Sequence, residues 1–185
     1  EAGADNLQGG AGDDLLNSGG VPVAVGLRTD PVDVLRGDAG DDTLDGGSAQ
    51  ASVWAFADYS SSTSAVNVNL GTGTASDGFG GTDTLVNIDG VFGSAHNDVL
   101  TGGSNSTYIT TQYEFFQGGL GDDTIDGGDG HDAASYQSAS GSVVVDLSAG
   151  TATGADGNDT LLNIEQVRGS MYADTLTGSA GNDQF

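Results

Sequence analysis

The feature that most constrains this chain is a nine-residue block, G-G-x-G-x-D-x-U-x with U a large apolar residue, that recurs from one end to the other. Full copies run Gly9 to Asn17 (GGAGDDLLN), Gly37 to Asp45 (GDAGDDTLD), Gly118 to Asp126 (GGLGDDTID) and Gly127 to Ser135 (GGDGHDAAS), the second with Asp38 for a glycine and the last with Ala134 in the apolar place. Partial copies keep the acid and the apolar place at 1–8, 28–36, 78–86, 93–101, 154–162 and 169–177, and 178–185 ends one residue short of another. The glycine-rich openings are turns, the three-residue tails are short strands, and the glycine density excludes helix. Short units at a fixed period build a solenoid, each burying its apolar face only against its neighbours. The expected fold is therefore all-β, a parallel stack in which two turn-plus-strand blocks form one coil.

A larger repeat lies over the small one. AVNVNLGTGTA (65–75) aligns with SVVVDLSAGTA (142–152), and DTLVNIDGVFGSAHNDVLTG (83–102) with DTLLNIEQVRGSMYADTLTG (159–178). Alternation predicts strands with Val66, Val68 and Leu70, and Val143, Val145 and Leu147, facing inward. The blocks should add Leu7, Leu16, Leu35, Leu44, Leu85, Leu100, Phe116, Ile125, Leu161 and Leu176 to the same apolar ladder. The organisation expected is the end of a preceding block with its connection at 1–27, a first block plus strand-rich module at 28–108, and a second at 109–185. Together they read as one continuous solenoid and a piece of a larger protein.

The acids decide what holds the turns. Three Lys+Arg stand against 27 Asp+Glu, a net charge of −24 in 185 residues. Such a chain repels nucleic acid and anionic membrane, and its expected partner is a cation. The block's sixth place holds Asp5, Asp14, Asp33, Asp42, Asp83, Asp98, Asp123, Asp132, Asp159, Asp174 and Asp183, with Glu114 as a substitute. Stacking would crowd these carboxylates in partly dehydrated turns, which is prohibitive without a counter-ion. No cysteine is present, and the available donors are carboxylates and glycine-turn carbonyls. Hard oxygens in a flexible array suit Ca²⁺ better than Mg²⁺ or Zn²⁺.

These tandem blocks resemble the nonapeptides of RTX (hemolysin-type) calcium-binding proteins. The resemblance implies a right-handed parallel β-roll or β-helix with several Ca²⁺ ions between loops of successive coils. It also implies disorder without calcium and export by type I secretion, hence an extracellular or cell-surface location. Carried over by match, the ligand candidates are Asp14, Asp42, Asp123, Asp132, Asp159 and Asp183, with carbonyls of Gly10, Gly12, Gly40, Gly119, Gly121, Gly128, Gly130, Gly157 and Gly181. Asp5, Asp33, Asp83 (beside Gly81), Asp98 and Asp174 match less fully, because glycines around them are replaced. Sites between coils need partners about 18 residues apart, yet 18 beyond Asp14 lies Val32 and 18 beyond Asp42 lies Ser60. The intervening modules must supply partners or leave sites incomplete, so about four to eight ions are expected. Pro31 and His96 replace loop glycines and weaken their sites.

Other residues have plainer readings. Asp13, Asp41 and Asp122 are surface acids, and His96 and His131 lie in surface loops without a catalytic motif. Asn87 and Asn163 are inward groups bonding backbone at coil corners. Trp54, Phe56 and Tyr59 are packing residues, and also the place where a binding platform would sit. No GxSxG or HExxH motif and no acid outside the repeat pattern marks an enzyme. The reading is a calcium-dependent folding module of a secreted bacterial protein. The alternative is a calcium-stabilised recognition or self-assembly module that binds polysaccharide or like modules, as in adhesins and surface layers.

Overall fold

The computed structural model describes residues 5–19, 32–47, 54–103 and 113–185, all strand and turn. Pro31, the first residues of the 1–8 copy and most of the connections expected at 18–27 and 103–108 lie outside them. The first coils contribute β1 (Asn6–Ala11), β2 (Leu15–Asn17), β3 (Val32–Ala39) and β4 (Thr43–Asp45). The first module follows as β5 (Trp54–Asp58), β6 (Asn67–Asn69), β7 (Thr74–Ser76), β8 (Thr82–Val86), β9 (Gly90–Phe92) and β10 (Val99–Thr101). The second block is β11 (Phe115–Gln117), β12 (Thr124–Asp126) and β13 (Ala133–Ser135). Its module is β14 (Val143–Asp146), β15 (Thr151–Gly154), β16 (Asn158–Leu162), β17 (Gln166–Arg168) and β18 (Thr175–Thr177).

The strands form two sheets with the main core between them, the arrangement of a parallel β-roll. A seven-stranded sheet runs β1-β3-β5-β9-β11-β13-β17, every pair parallel. Facing it, an 11-stranded sheet runs β18-β14-β15-β16-β12-β10-β6-β7-β8-β4-β2. The expected ladder is buried at Leu16, Leu35, Leu44, Leu85, Leu100, Phe116, Ile125 and Leu161, while Leu7 and Leu176 pack against it half-buried. Val66, Val68, Leu70, Val143 and Val145 point inward, and Leu147 is partly buried.

The parallel stack is interrupted twice, contrary to a uniform coil. The chain lays β6 beside β10, returns antiparallel through β7, and reaches β8 beside β4. β14, β15 and β16 repeat the manoeuvre between β18 and β12. Each meander adds two strands to one sheet without a counterpart in the other, about 10 Å of extra sheet at the usual strand spacing. Gly73 and Gly150 make the reversals possible: both have left-handed φ (67° and 68°). A Cβ on either would lie 2.7 Å from the carbonyl oxygen of Leu85 or Leu161.

Candidate metal centre

The sixth-place acids line the turns where the chain passes from one sheet to the other, and they bond in rungs. The amide of Asp14 donates to Asp42 Oδ1 at 2.8 Å, and that of Asp42 to Asp83 Oδ1 at 3.1 Å. A second stack on the same edge runs from Asp98 to Asp123 at 2.8 Å and from Asp123 to Asp159 at 3.1 Å. Opposite them, Asp5 donates to Asp33 at 2.8 Å, Glu114 to Asp132 at 2.8 Å and Asp132 to Glu165 at 3.0 Å. Of these only Glu114 and Asp132 keep the 18-residue separation. Asp14 and Asp42 are 28 apart, and Asp42 and Asp83 are 41 apart. The modules do supply the rung partners, because the strands after the acids are neighbours in the sheet whatever length of chain intervenes.

Each rung fixes one carboxylate oxygen, and the other oxygen divides the acids into three kinds. Asp42 Oδ2, Asp123 Oδ2 and Asp132 Oδ2 are buried with no hydrogen-bond partner. An unpartnered buried polar atom costs about 1–3 kcal/mol, more if charged, so an oxygen left this way is a place for a cation. The Asp42 and Asp123 oxygens fold back over Gly37 and Gly118, where any Cβ would collide with them.

Tyrosine caps the second kind. Tyr59 Oη donates to Asp83 Oδ2 and Tyr136 Oη to Asp159 Oδ2, each at 2.9 Å. Serine caps the third, in blocks reading Gly-Ser instead of Gly-Gly. Ser94 gives Asp98 both its amide (2.5 Å) and its hydroxyl (2.7 Å). Ser170 Oγ reaches Asp174 Oδ1 at 2.6 Å, sharing that oxygen with the Val143 amide at 2.9 Å, and Ser179 bonds Asp183 through amide and hydroxyl at 2.7 and 3.0 Å.

Backbone conformation follows the same division. In the full copies the second and fourth places are left-handed: Gly10 and Gly12, Asp38 and Gly40, Gly119 and Gly121, Gly128 and Gly130. Gly157 is left-handed too, whereas Ser94, Ser170, Ser179 and Gly181 are not. The left-handed turns pack backbone against backbone: Cβ atoms on Gly40, Gly81 and Gly157 would strike the carbonyl groups of Gly12, Gly40 and Gly121. Carbonyl oxygens and carboxylates of neighbouring coils thus crowd together. Among the described residues no three Asp, Glu or His side chains converge on one point. A cation there must take much of its shell from carbonyls. The donors are all hard oxygens, some already stripped of partners, and they fit Ca²⁺.

The field in these turns is that of buried, mutually repelling acids. Burial first, then neighbouring carboxylates, pushes Asp123 up to about 7 despite the rung bond. Burial likewise raises Asp132 and Glu114 to about 7 and Asp83 to about 6. Asp42, Asp98 and Asp159 move up for the same leading reason. Asp174 moves down, held by the Ser170 hydroxyl and the Val143 amide.

Several residues sit differently from the sequence reading. Asp89 and Glu165 occupy rung positions, accepting from the amides of Ala55 and Asp132 at 3.0 Å. Both precede an x-U-x tail, Gly90-Val91-Phe92 and Gln166-Val167-Arg168, but lack the glycines before it. Asp77, which no repeat place marks, is fully buried: its Oδ1 accepts the amides of Phe79, Gly80 and Gly81, and its Oδ2 has no partner. Asp13, Asp41 and Asp122 are exposed but not merely solvated, since they accept amides of Asp41, Thr82 and Asn158 from the next coil. Asn87 and Asn163 do stand at corners, with left-handed φ of 53° and 50°. They are exposed rather than inward; Asn87 does bond backbone, at the Gly47 carbonyl, and both donate to side chains of the adjoining coil, Asp45 and Asp126. His96 is exposed, whereas His131 has a buried, unpartnered Nε2 beside the Tyr113 ring.

The chain's likeness to known proteins agrees with this geometry. No curated protein matches it significantly. The model of the RTX calcium-binding nonapeptide repeat (4 copies) matches residues 1–20, 32–49, 89–109, 114–133 and 165–185, passing over both meanders. With more than half of its residues matched and its acids on the turns of a parallel roll, the chain belongs to the RTX calcium-binding nonapeptide repeat family.

Proposed function

We propose that this chain is a calcium-dependent folding module of a secreted bacterial protein. Its ions would seat in the glycine-type turns of Asp14, Asp42, Asp123 and Asp132, the second of them shared with Asp77, whose Oδ2 is likewise buried and partnerless and whose charge bears on Asp42. The observation that carries the reading is the buried, partnerless oxygen on Asp42, Asp123 and Asp132. A bound Ca²⁺ supplies the positive charge that lets these acids stay ionised while dehydrated. The glycine-turn carbonyls, including those of Gly10, Gly12, Gly40, Gly119, Gly121, Gly128 and Gly130, complete the hard-oxygen shell.

The consequence is linkage. Calcium that binds the folded chain and not the unfolded one converts binding energy into folding energy. A chain with −24 charges would stay extended where calcium is scarce and fold where it reaches millimolar levels, outside the cell. That order suits type I export and an extracellular or cell-surface location. The segments 1–27, 28–108 and 109–185 would act as one solenoid within a larger protein, a structural rather than catalytic part.

Asp83, Asp159, Asp98 and Asp183 have their second oxygen already bonded, Asp174 is held by the Ser170 hydroxyl and the Val143 amide, and these tyrosine- and serine-capped acids would hold the roll without an ion. Calorimetric titration tests this: about four ions are expected, one per glycine-type turn. Asp123→Ala should lower the count and Asp174→Ala should leave it. Equal losses from both variants would contradict the assignment.

A further inference from the structure

The outward face of the seven-stranded sheet carries a second apolar cluster, which meets the Asp132 turn where the Tyr113 ring lies beside His131. Ala55, Ala57, Val91, Phe116 and Val167 face the main core, while the alternating Phe56, Phe92 and Phe115 face outward. Phe56 stacks on Phe92 (centroids 5.0 Å apart, planes 10° from parallel), with Phe115 edge-on at 5.4 Å. Trp54 meets Tyr113 edge-on at 5.0 Å. Phe56 and Phe115 are buried in this cluster, while Trp54, Phe92 and Tyr113 are only partly buried and present ring surface to solvent.

These rings wall a cleft of about 430 Å³, a size typical of small-molecule sites. Its polar lining is made of flat groups, Gln117, Gln137 and Arg168. The Arg168 guanidinium stands 5.1 Å from the Phe115 centroid, and Arg168 makes no ion pair among the described residues. The Tyr113 hydroxyl donates to Gln166 at 3.0 Å. Aromatic faces take the C–H face of a sugar ring, and fork-shaped amide and guanidinium groups take neighbouring hydroxyls. The −24 charge disfavours anionic polymers.

We propose that this cleft, walled by Trp54, Phe92 and Phe115 and edged by Gln117, Gln137 and Arg168, binds one pyranose ring of an uncharged glycan. It depends on the calcium reading only in needing a folded sheet. Trp54 is the chain's single tryptophan, so its emission reports on the cleft directly. The test is an array of neutral and anionic glycans probed in calcium, followed by Trp54 fluorescence titration with the retained oligosaccharides. A neutral glycan should give a saturable change, weakened about tenfold or more by Arg168→Ala or Gln117→Ala. The calcium-driven circular dichroism transition of both variants should stay as in the parent. Retention of anionic glycans alone, no retention, or affinity unmoved by both variants would overturn the proposal. Loss of the dichroism transition in the parent chain would instead count against the calcium reading.

Discussion

The Tyr59 hydroxyl donates to Asp83 Oδ2 at 2.9 Å in the buried interior of the first module, and Tyr136 does the same for Asp159 in the second. Burial and the adjoining carboxylate raise both phenols well above their ordinary value, so each stays a neutral donor. A phenol thus stands where, at Asp42 and Asp123, the second oxygen has no partner.

Tyr59→Phe removes that donor and leaves Asp83 Oδ2 unpaired while conserving the ring's packing. The calcium-loaded protein should lose about 1–3 kcal/mol in chemical unfolding. The number of ions bound should not change. A lowered ion count would place calcium at Asp83.

Asp123→Asn keeps an oxygen for the Asp98 amide but removes the charge. The calcium concentration at the folding midpoint should rise several-fold, because one carboxylate is lost from the shell. Asp174→Asn, in a serine-capped turn, should leave the midpoint nearly in place. Titrations followed by circular dichroism compare the two.

Gly118→Ala puts a methyl group onto Asp123 Oδ2 in a turn held on both sides by neighbouring coils. Calcium binding at this turn should be lost, at a stability cost of about 1–3 kcal/mol. Gly80→Ala tests strain alone, since no atom lies within 4 Å of its Cβ position but φ is 113°. It should cost about 1–2 kcal/mol and keep every ion.

Acid should act as a partial substitute for calcium. Asp123, Asp132 and Glu114 are raised to about 7 and Asp83 to about 6, so the folded, metal-free chain binds protons that the unfolded chain has released. Metal-free stability is therefore greatest below the ordinary carboxylate range near 4 and is lost as pH rises through 6 to 7. In chelator, β signal should be stronger at pH 5 than at pH 8. In calcium the trend reverses, because the ion needs the carboxylates ionised, and the midpoint concentration should rise as pH falls. Identical chelator spectra at both pH values would contradict this.

The sequence carried the roll and most of its rungs because period and alternation report directly on burial. Leu35, Leu100 and Phe116 are buried where the block places them. Strand direction is another matter. Alternation at Val66 and Val68 is the same in a parallel or an antiparallel strand, and the short link through Gly71 and Gly73 was the available sign of a hairpin return. Asp89 and Glu165 are not legible as repeat acids because asparagine in the left-handed corners at Asn87 and Asn163 does the work of glycine, leaving only the acid-x-U-x tail. Ser94, Ser170 and Ser179 were visible in the sequence. Their effect was not, because a serine that bonds its own block's acid can be told from a weakened glycine turn only by geometry.

If calcium bound by the glycine-type turns folds the chain, far-UV circular dichroism through a Ca²⁺ titration, with Mg²⁺ as control, should show a cooperative transition from an unfolded spectrum to β structure, produced by calcium and not by magnesium. A β spectrum already complete in chelator at neutral pH, and unchanged by calcium, would contradict it.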